Sequence, residues 1–269
     1  MQRSPIDNSS QSASALALAM LCLLCFLSEP ARAASENLRV SVVGVDGAAW
    51  RVIDPMLERG ELPSFQKLIE NGVRGQLQSE LPLRSPAIWT TVATGMNRER
   101  HGIEFFGNRL GFFISSRDRR VPALWTIASD RGLRSAIIGW WATFPAEPIR
   151  GVIISERALK TREKDIAALM RPGRLGPRDP LRLTHPADVL KIVVNAFGRM
   201  PESPHATSEM MRVKHNMRDE DAVSVQALLE LRQKYGRFDL ELLLLRGVDP
   251  VSHFFWKYHE PEAAAYTAA

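Results

Sequence analysis

The sequence predicts an α/β protein of three layers, a mainly parallel sheet covered by helices on both faces. Three observations predict it. Apolar runs of strand length, rich in Val, Ile and Leu, recur at 39–45, 134–141, 151–155 and 238–249. Helix-length patterns that open on Pro or a capping residue and close on Gly lie between them. The strands are apolar almost without alternation, as expected where both faces of a sheet are buried.

Taken in order, "VSVVGV" (40–45) gives the first strand, with β-branched residues running straight into Asp46 and Gly47. "LPSFQKLIENG" (62–72) reads as a helix closed by Gly72, and "VRGQLQSEL" (73–81) alternates like a strand. "SPAIWTTVATG" (85–95) predicts a helix with Ser85 as its cap, Pro86 as its first helical residue and Gly95 as its stop. A helix over 121–132, a strand over 134–141 and a strand over 151–155 follow. From 156 to 217 the pattern breaks. Helices are expected near 161–170 and 186–198, and "RPGRLGPRDPLR" (171–182) reads as loop, so the block is expected to be an insertion or cap. A long amphipathic helix (218–235) and the strand "FDLELLLLRGVD" (238–249) return to the core pattern.

The 269 residues suffice for one large α/β domain or two small ones, and 45% hydrophobic with 24% charged residues is ordinary for a globular chain. A net charge of +5, from 35 basic and 30 acidic residues, gives no argument for a nucleic-acid polymer as partner and suits a small anionic one. The N-terminus reads as a signal peptide over 1–33. Arg3 precedes the apolar run Ala15–Leu27, and Ala31-Arg32-Ala33 is a small-x-small cleavage pattern. The run is short for a stable membrane span, so export is expected, with an N-terminal anchor as the alternative. Both cysteines, Cys22 and Cys25, fall inside this segment. The expected mature domain, 34–269, must therefore be held by core burial and not by disulfides.

The chemistry-bearing candidates lie at strand ends. Asp46 follows the first strand and Asp249 follows the last, and ligands of open parallel sheets bind beyond the carboxyl ends of strands. Each aspartate alone could equally cap the next turn. In "VDPVSHFFWKYHEP", Asp249 and His253 stand one helical turn apart, a carboxylate and an imidazole suited to part of a zinc shell. Ser85 stands at a helix N-terminus, where free N–H groups and partial positive charge favour a phosphate or sulfate. The basic group Arg117, Arg119 and Arg120 reads as a solvated face, His185, His205, His215 and His259 as surface, and Trp89, Trp125, Trp140 and Trp141 as core.

Together, "VVGVDGAAWRVIDPMLERGELPSFQKLIENGVRGQL", "SPAIWTTVATGMNRERHGI" and "VDPVSHFFWKYHEP" resemble the type I phosphodiesterase / nucleotide pyrophosphatase family of the alkaline phosphatase superfamily. The resemblance covers roughly 37–155 and 238–262. It implies an alkaline phosphatase-like core and an exported, metal-dependent hydrolase of phosphodiester or pyrophosphate bonds. Asp46 matches the family's first metal-binding aspartate and Ser85 its Thr/Ser nucleophile, which also touches a metal. Asp249 and His253 match ligands of the second metal, and His101-Gly102-Ile103 a structural turn. The cofactors implied are two divalent ions, zinc foremost, and the partner a small phosphate ester. The family's further Asp-His pair and last histidine have no match after His253, so the sheet is expected to be incomplete at its C-terminus and this chain to be inactive by itself. A related sulfatase or phosphomutase-type transferase and a truncated, non-catalytic binding module are the alternatives.

Overall fold

The computed structural model describes residues 39–107, 113–160, 182–200 and 208–260. All lie in one of the two units into which the chain divides, Arg39–Ala269, the other being Met1–Leu38. The expected signal segment, the helix near 161–170 and His205 lie outside the described residues.

Five strands form the sheet: β1 (Val40–Val45), β2 (Ser135–Ile138), β3 (Gly151–Ile154), β4 (Thr184–His185) and β5 (Leu240–Leu245). Their order is β1-β5-β2-β3-β4. All neighbours are parallel except β4, which runs antiparallel to β3. The α/β architecture expected from the apolar runs is therefore present. The first strand and the last described strand are side by side, in register from Val40↔Leu240 to Val45↔Leu245. That pairing joins sequence positions two hundred apart and brings the two candidate aspartates to one end of the sheet.

Helices cover both faces: α1 (Trp50–Glu58), α2 (Pro63–Glu70), α3 (Ser85–Thr94), α4 (Arg98–His101), α5 (Leu124–Asp130), α6 (Leu190–Gly198), α7 (Glu209–Tyr235) and α8 (Val248–His259). Two cores follow the two-residue period of the strands. On one face Ala136, Ile138, Val152, Ile154 and Leu243 pack with Val189, Ile192 and Val193 at α6 and with Val223, Ala227 and Leu231 of α7. On the other, Ile137, Ile153, Leu242 and Leu244 pack with Ala93 of α3 and with Trp125 and Ala128 of α5. Each fully buried Ile or Leu contributes about 1.5–3 kcal/mol, which is why sequences buried on both faces carry no alternation. The described part of the middle block joins this framework: β4 extends the sheet, and α6 lies in the first of the two cores.

Three element expectations are corrected, and one helix is added. Residues 73–81 form no strand; Val73, Leu77 and Leu81 are exposed at 101, 87 and 80%. Alternation supplies an apolar face, but a strand also needs a neighbouring backbone, and no ladder bond joins this stretch to the other described residues. Helix α1, which was not read from the sequence, holds Pro55 inside it; its first turn closes on Ala49, whose carbonyl accepts from Val52 at 2.9 Å and Ile53 at 3.0 Å. Helix α7 begins at Glu209 and not near 218, with the Ser208 hydroxyl accepting from Met211 N–H at 3.3 Å. Its buried positions begin only at Asp219; Met210, Val213 and Met217 of the early turns stand at helical spacing but are only partly buried. Strand β5 ends at Leu245, and Asp249 stands in the first turn of α8.

Candidate active site

At the carboxyl end of β1, the ladder continues one step past the strand: Asp46 N–H donates to the Leu245 carbonyl at 2.9 Å. Gly47 then turns the chain with φ of +80°, a conformation glycine adopts without strain. Its α-carbon lies directly against the first turn of α8. A Cβ there would stand 2.7 Å from the Asp249 Cα and 2.9 Å from its backbone nitrogen. Asp46 and Asp249 are thus brought to the same end of the sheet by the β1–β5 pairing and this close approach. One turn along α8, His253 Nε2 lies 3.5 Å from Asp249 Oδ1. Burial pushes the Asp249 carboxyl above its ordinary range, and the charge of Asp46 pushes in the same direction. The His253 imidazole opposes them. Two carboxylates that repel and a neighbouring imidazole are a donor set that fits a divalent cation. It is a partial set, because among the described residues no three His, Cys, Asp or Glu side chains are grouped to hold a metal.

Helix α3 is pinned over the same strand ends. The Trp89 ring lies so close to Gly44 of β1 that a Cβ at Gly44 would be 2.6 Å from it. Trp89 also meets Trp140 edge-on at 5.3 Å, and Trp140 Nε1 donates to the Trp89 carbonyl at 2.8 Å. Trp140 sits just beyond β2, so α3 is anchored to two strands one turn after Ser85. Ser85 is the first helical residue. Arg84, in extended conformation, is the cap and Pro86 follows, so the helix starts one position earlier than the sequence suggested. The helix stops at Gly95 in the left-handed conformation, φ 66°.

The "HGI" turn supports α3 from the side. His101 is fully buried. Its Nδ1 accepts from Ile103 N–H at 3.1 Å, so the ring proton is on Nε2, 3.0 Å from Thr91 Oγ1. Burial holds its pKa below the ordinary value, which keeps the ring neutral and this pattern intact.

Other groups at this edge were not singled out from the sequence. The Arg84 guanidinium lies 3.6 Å over the Phe105 ring, beside Ser85 in the chain. Phe106 meets Trp141 at 5.6 Å, and Arg246, 7% exposed, lies 5.2 Å over the same Trp141. An Arg next to a nucleophile candidate was a visible signal for the first; nothing local marks the second. Trp125 and Trp140 are core as expected, whereas the solvated reading of Arg119 fails. Its side chain is 3% exposed and paired with Glu147 at 2.6 Å. Trp256 is engaged by Arg51, 4.3 Å from its ring centre.

The family model described as Type I phosphodiesterase / nucleotide pyrophosphatase matches residues 40–269. No curated protein and no solved structure matches the chain.

Proposed function

The chain belongs to the type I phosphodiesterase / nucleotide pyrophosphatase family, and from that premise we propose that it is an exported, metal-dependent hydrolase of phosphate esters that works through Ser85. The family is one of phosphodiesterase and pyrophosphatase-type hydrolases acting on phosphate esters. What supports the finer reading is that the β1–β5 pairing and the Gly47 turn bring Asp46 and Asp249 to one end of the sheet, that His253 lies 3.5 Å from Asp249, and that Ser85 opens the helix whose Trp89 packs on Gly44 of β1.

In this reading Asp46, Ser85, Asp249 and His253 are ligands of divalent cations, zinc foremost. A bound divalent ion would lower the pKa of a coordinated hydroxyl or water and offset charge on phosphoryl oxygens. Ser85 Oγ gives up its proton, which passes through solvent to the departing group, and attacks phosphorus. The new P–O bond forms as the bond to the leaving alcohol or phosphate breaks, giving a phosphoserine. Water then attacks the same phosphorus, and the Ser85 oxygen leaves and regains a proton. Of the first turn of α3, Pro86 has no N–H and Ile88 N–H donates to the Arg84 carbonyl at 3.0 Å, which leaves the Ser85 and Ala87 amides and the helix dipole to stabilise the charge of an anion. Arg84, held flat on Phe105, offers the free edges of its guanidinium to an anionic substrate.

The test is hydrolysis of bis(p-nitrophenyl) phosphate by purified protein treated with chelator and then resupplied with zinc. Activity that appears on zinc addition and is lost again on chelation is the result this reading expects, and it would overturn the expectation from the missing ligands that the chain is inactive by itself; activity indifferent to both sinks the reading.

For location, the motivating pattern is the apolar run followed by Ala31-Arg32-Ala33. Among the described residues no helix is long and apolar enough to cross a membrane. Mass spectrometry of protein recovered outside the cytoplasm should find a start within a few residues of Ala34; an intact Met1 on that material would favour the anchor.

A further inference from the structure

Between the end of β5 and the start of α8 the chain must turn within Arg246 and Gly247, and this turn aims Asp249 and His253. We propose that Asp221, on α7, is the positioning residue that fixes this turn and thereby sets the placement of Asp249 and His253. The proposal rests on the reading of those two side chains as cation ligands.

Asp221 uses both carboxylate oxygens on the turn. Oδ1 accepts from Arg246 N–H at 2.9 Å and Oδ2 from Gly247 N–H at 3.0 Å. These are the two amides that a continuing strand would have turned toward its neighbours, so the contact explains why β5 stops at Leu245. A carboxylate accepting backbone N–H groups makes charge-assisted bonds, stronger than neutral ones. Removing it leaves two half-buried amides without partners, which costs more than the bonds themselves.

The approach is also close at residue 247. A Cβ on Gly247 would stand 2.4 Å from Asp221 Oδ2. The backbone there has φ of −68°, which any residue adopts. A side chain at 247 would therefore have to push the Asp221 carboxylate aside, and its Cβ would also stand 3.2 Å from the Met217 carbonyl. The adjacent Glu220 holds the side chain of the same turn, accepting from Arg246 Nη2 at 3.1 Å, and Arg246 Nη2 also reaches the Glu156 carbonyl at 3.3 Å. Arg246 is thus gripped by its backbone and its side chain, and acts as a strut. From the other side Gly47 abuts Asp249, as described above. The start of α8 is held between α7 and the β1 turn, and Asp221 is the polar part of that clamp.

Partners that orient metal ligands without touching the metal typically change affinity by about 10–100-fold when removed. The experiment uses the full chain. Zinc affinity is measured by competition with a chromophoric chelator, and amide exchange at Arg246 and Gly247 is followed in the metal-free protein. Asp221→Ala should weaken zinc about 10–100-fold and speed exchange at both amides. Asp221→Asn, which keeps one acceptor oxygen, should lose less. Gly247→Ala, which displaces the carboxylate without removing it, should lower affinity too, and the Asp221→Ala/Gly247→Ala pair should lose less than the sum of its singles. If Asp221→Ala fails to fold, the other two singles decide. Folded variants that bind zinc within about 2-fold of the wild type (well under the expected loss) would overturn the role of Asp221 while leaving the cation reading standing. A wild-type chain that takes up no zinc would overturn both.

Discussion

Replacing Ser85 by alanine is expected to reduce phosphodiester turnover on the order of 10⁴-fold or more while leaving the protein folded. The expectation comes from comparing the hydroxyls of α3. Thr90 Oγ1, 1% exposed, donates to the Pro86 carbonyl at 2.7 Å. Thr91 Oγ1 receives the Nε2 proton of His101 at 3.0 Å. Thr94 Oγ1 donates to the Thr90 carbonyl at 2.7 Å. Each is committed to holding the helix or its neighbour. The Ser85 hydroxyl makes no hydrogen bond among the described residues, and it stands at the end of the helix where an anion is favoured. Because Arg84 and not Ser85 occupies the capping position, and no side-chain cap bond is made there, the alanine variant loses no cap. Its stability should stay within about 0.5 kcal/mol of the wild type. Steady-state rates, thermal melting and trapping of a phosphorylated serine in the wild type check this. A variant that turns over at more than a tenth of the wild-type rate (far above the expected residue) would remove Ser85 as nucleophile.

Much of this arrangement was legible in the sequence because it is local. An apolar run that stops at a carboxylate, a Ser-Pro start and a turn-spaced Asp and His are all readable within a dozen residues, and each was found within a few positions. What the sequence hid depends on partners far along the chain. Asp221 belongs to the charged run Arg218–Asp221 and looks like a solvated helix face, yet its bonds reach residues 25 and 26 positions away. Arg119 looked solvated for the same reason, its partner Glu147 lying 28 residues on. Helix α1 was not read from the sequence, and Pro55, a helix breaker by rule, lies inside it. The 73–81 stretch failed because a local pattern cannot supply a neighbouring strand.

Asp249→Asn is expected to act in opposite directions on activity and on the metal-free fold. Activity should fall on the order of 10³-fold, since an anionic ligand is lost from a site that has few. The metal-free protein, in contrast, should melt about 1–3 °C higher at pH 7, a shift kept small because the group is partly exposed. Asp249 is raised above its ordinary pKa, first by burial and then by the charge of Asp46. A carboxyl whose folded pKa is raised contributes stability that is fully present below the unfolded value, about 3.9, and lost as pH rises through the folded value. Above the folded value the wild type has lost it, whereas the neutral amide has no charge to lose. The gain should therefore shrink as pH falls and vanish near the unfolded value, where the wild-type side chain is protonated as well. Losing the contact with His253 reduces the gain but does not reverse it, because that contact is the weaker influence on Asp249. Zinc inverts the order. At a hundred times its dissociation constant it should stabilise the wild type by about 2.7 kcal/mol and the variant hardly at all. Melting curves of both proteins at pH 7 and pH 4, in chelator and in zinc, test all of this. A variant less stable than the wild type at pH 7 in chelator would mean that Asp249 holds the fold together by its charge and is not a carboxylate kept under repulsion for a cation.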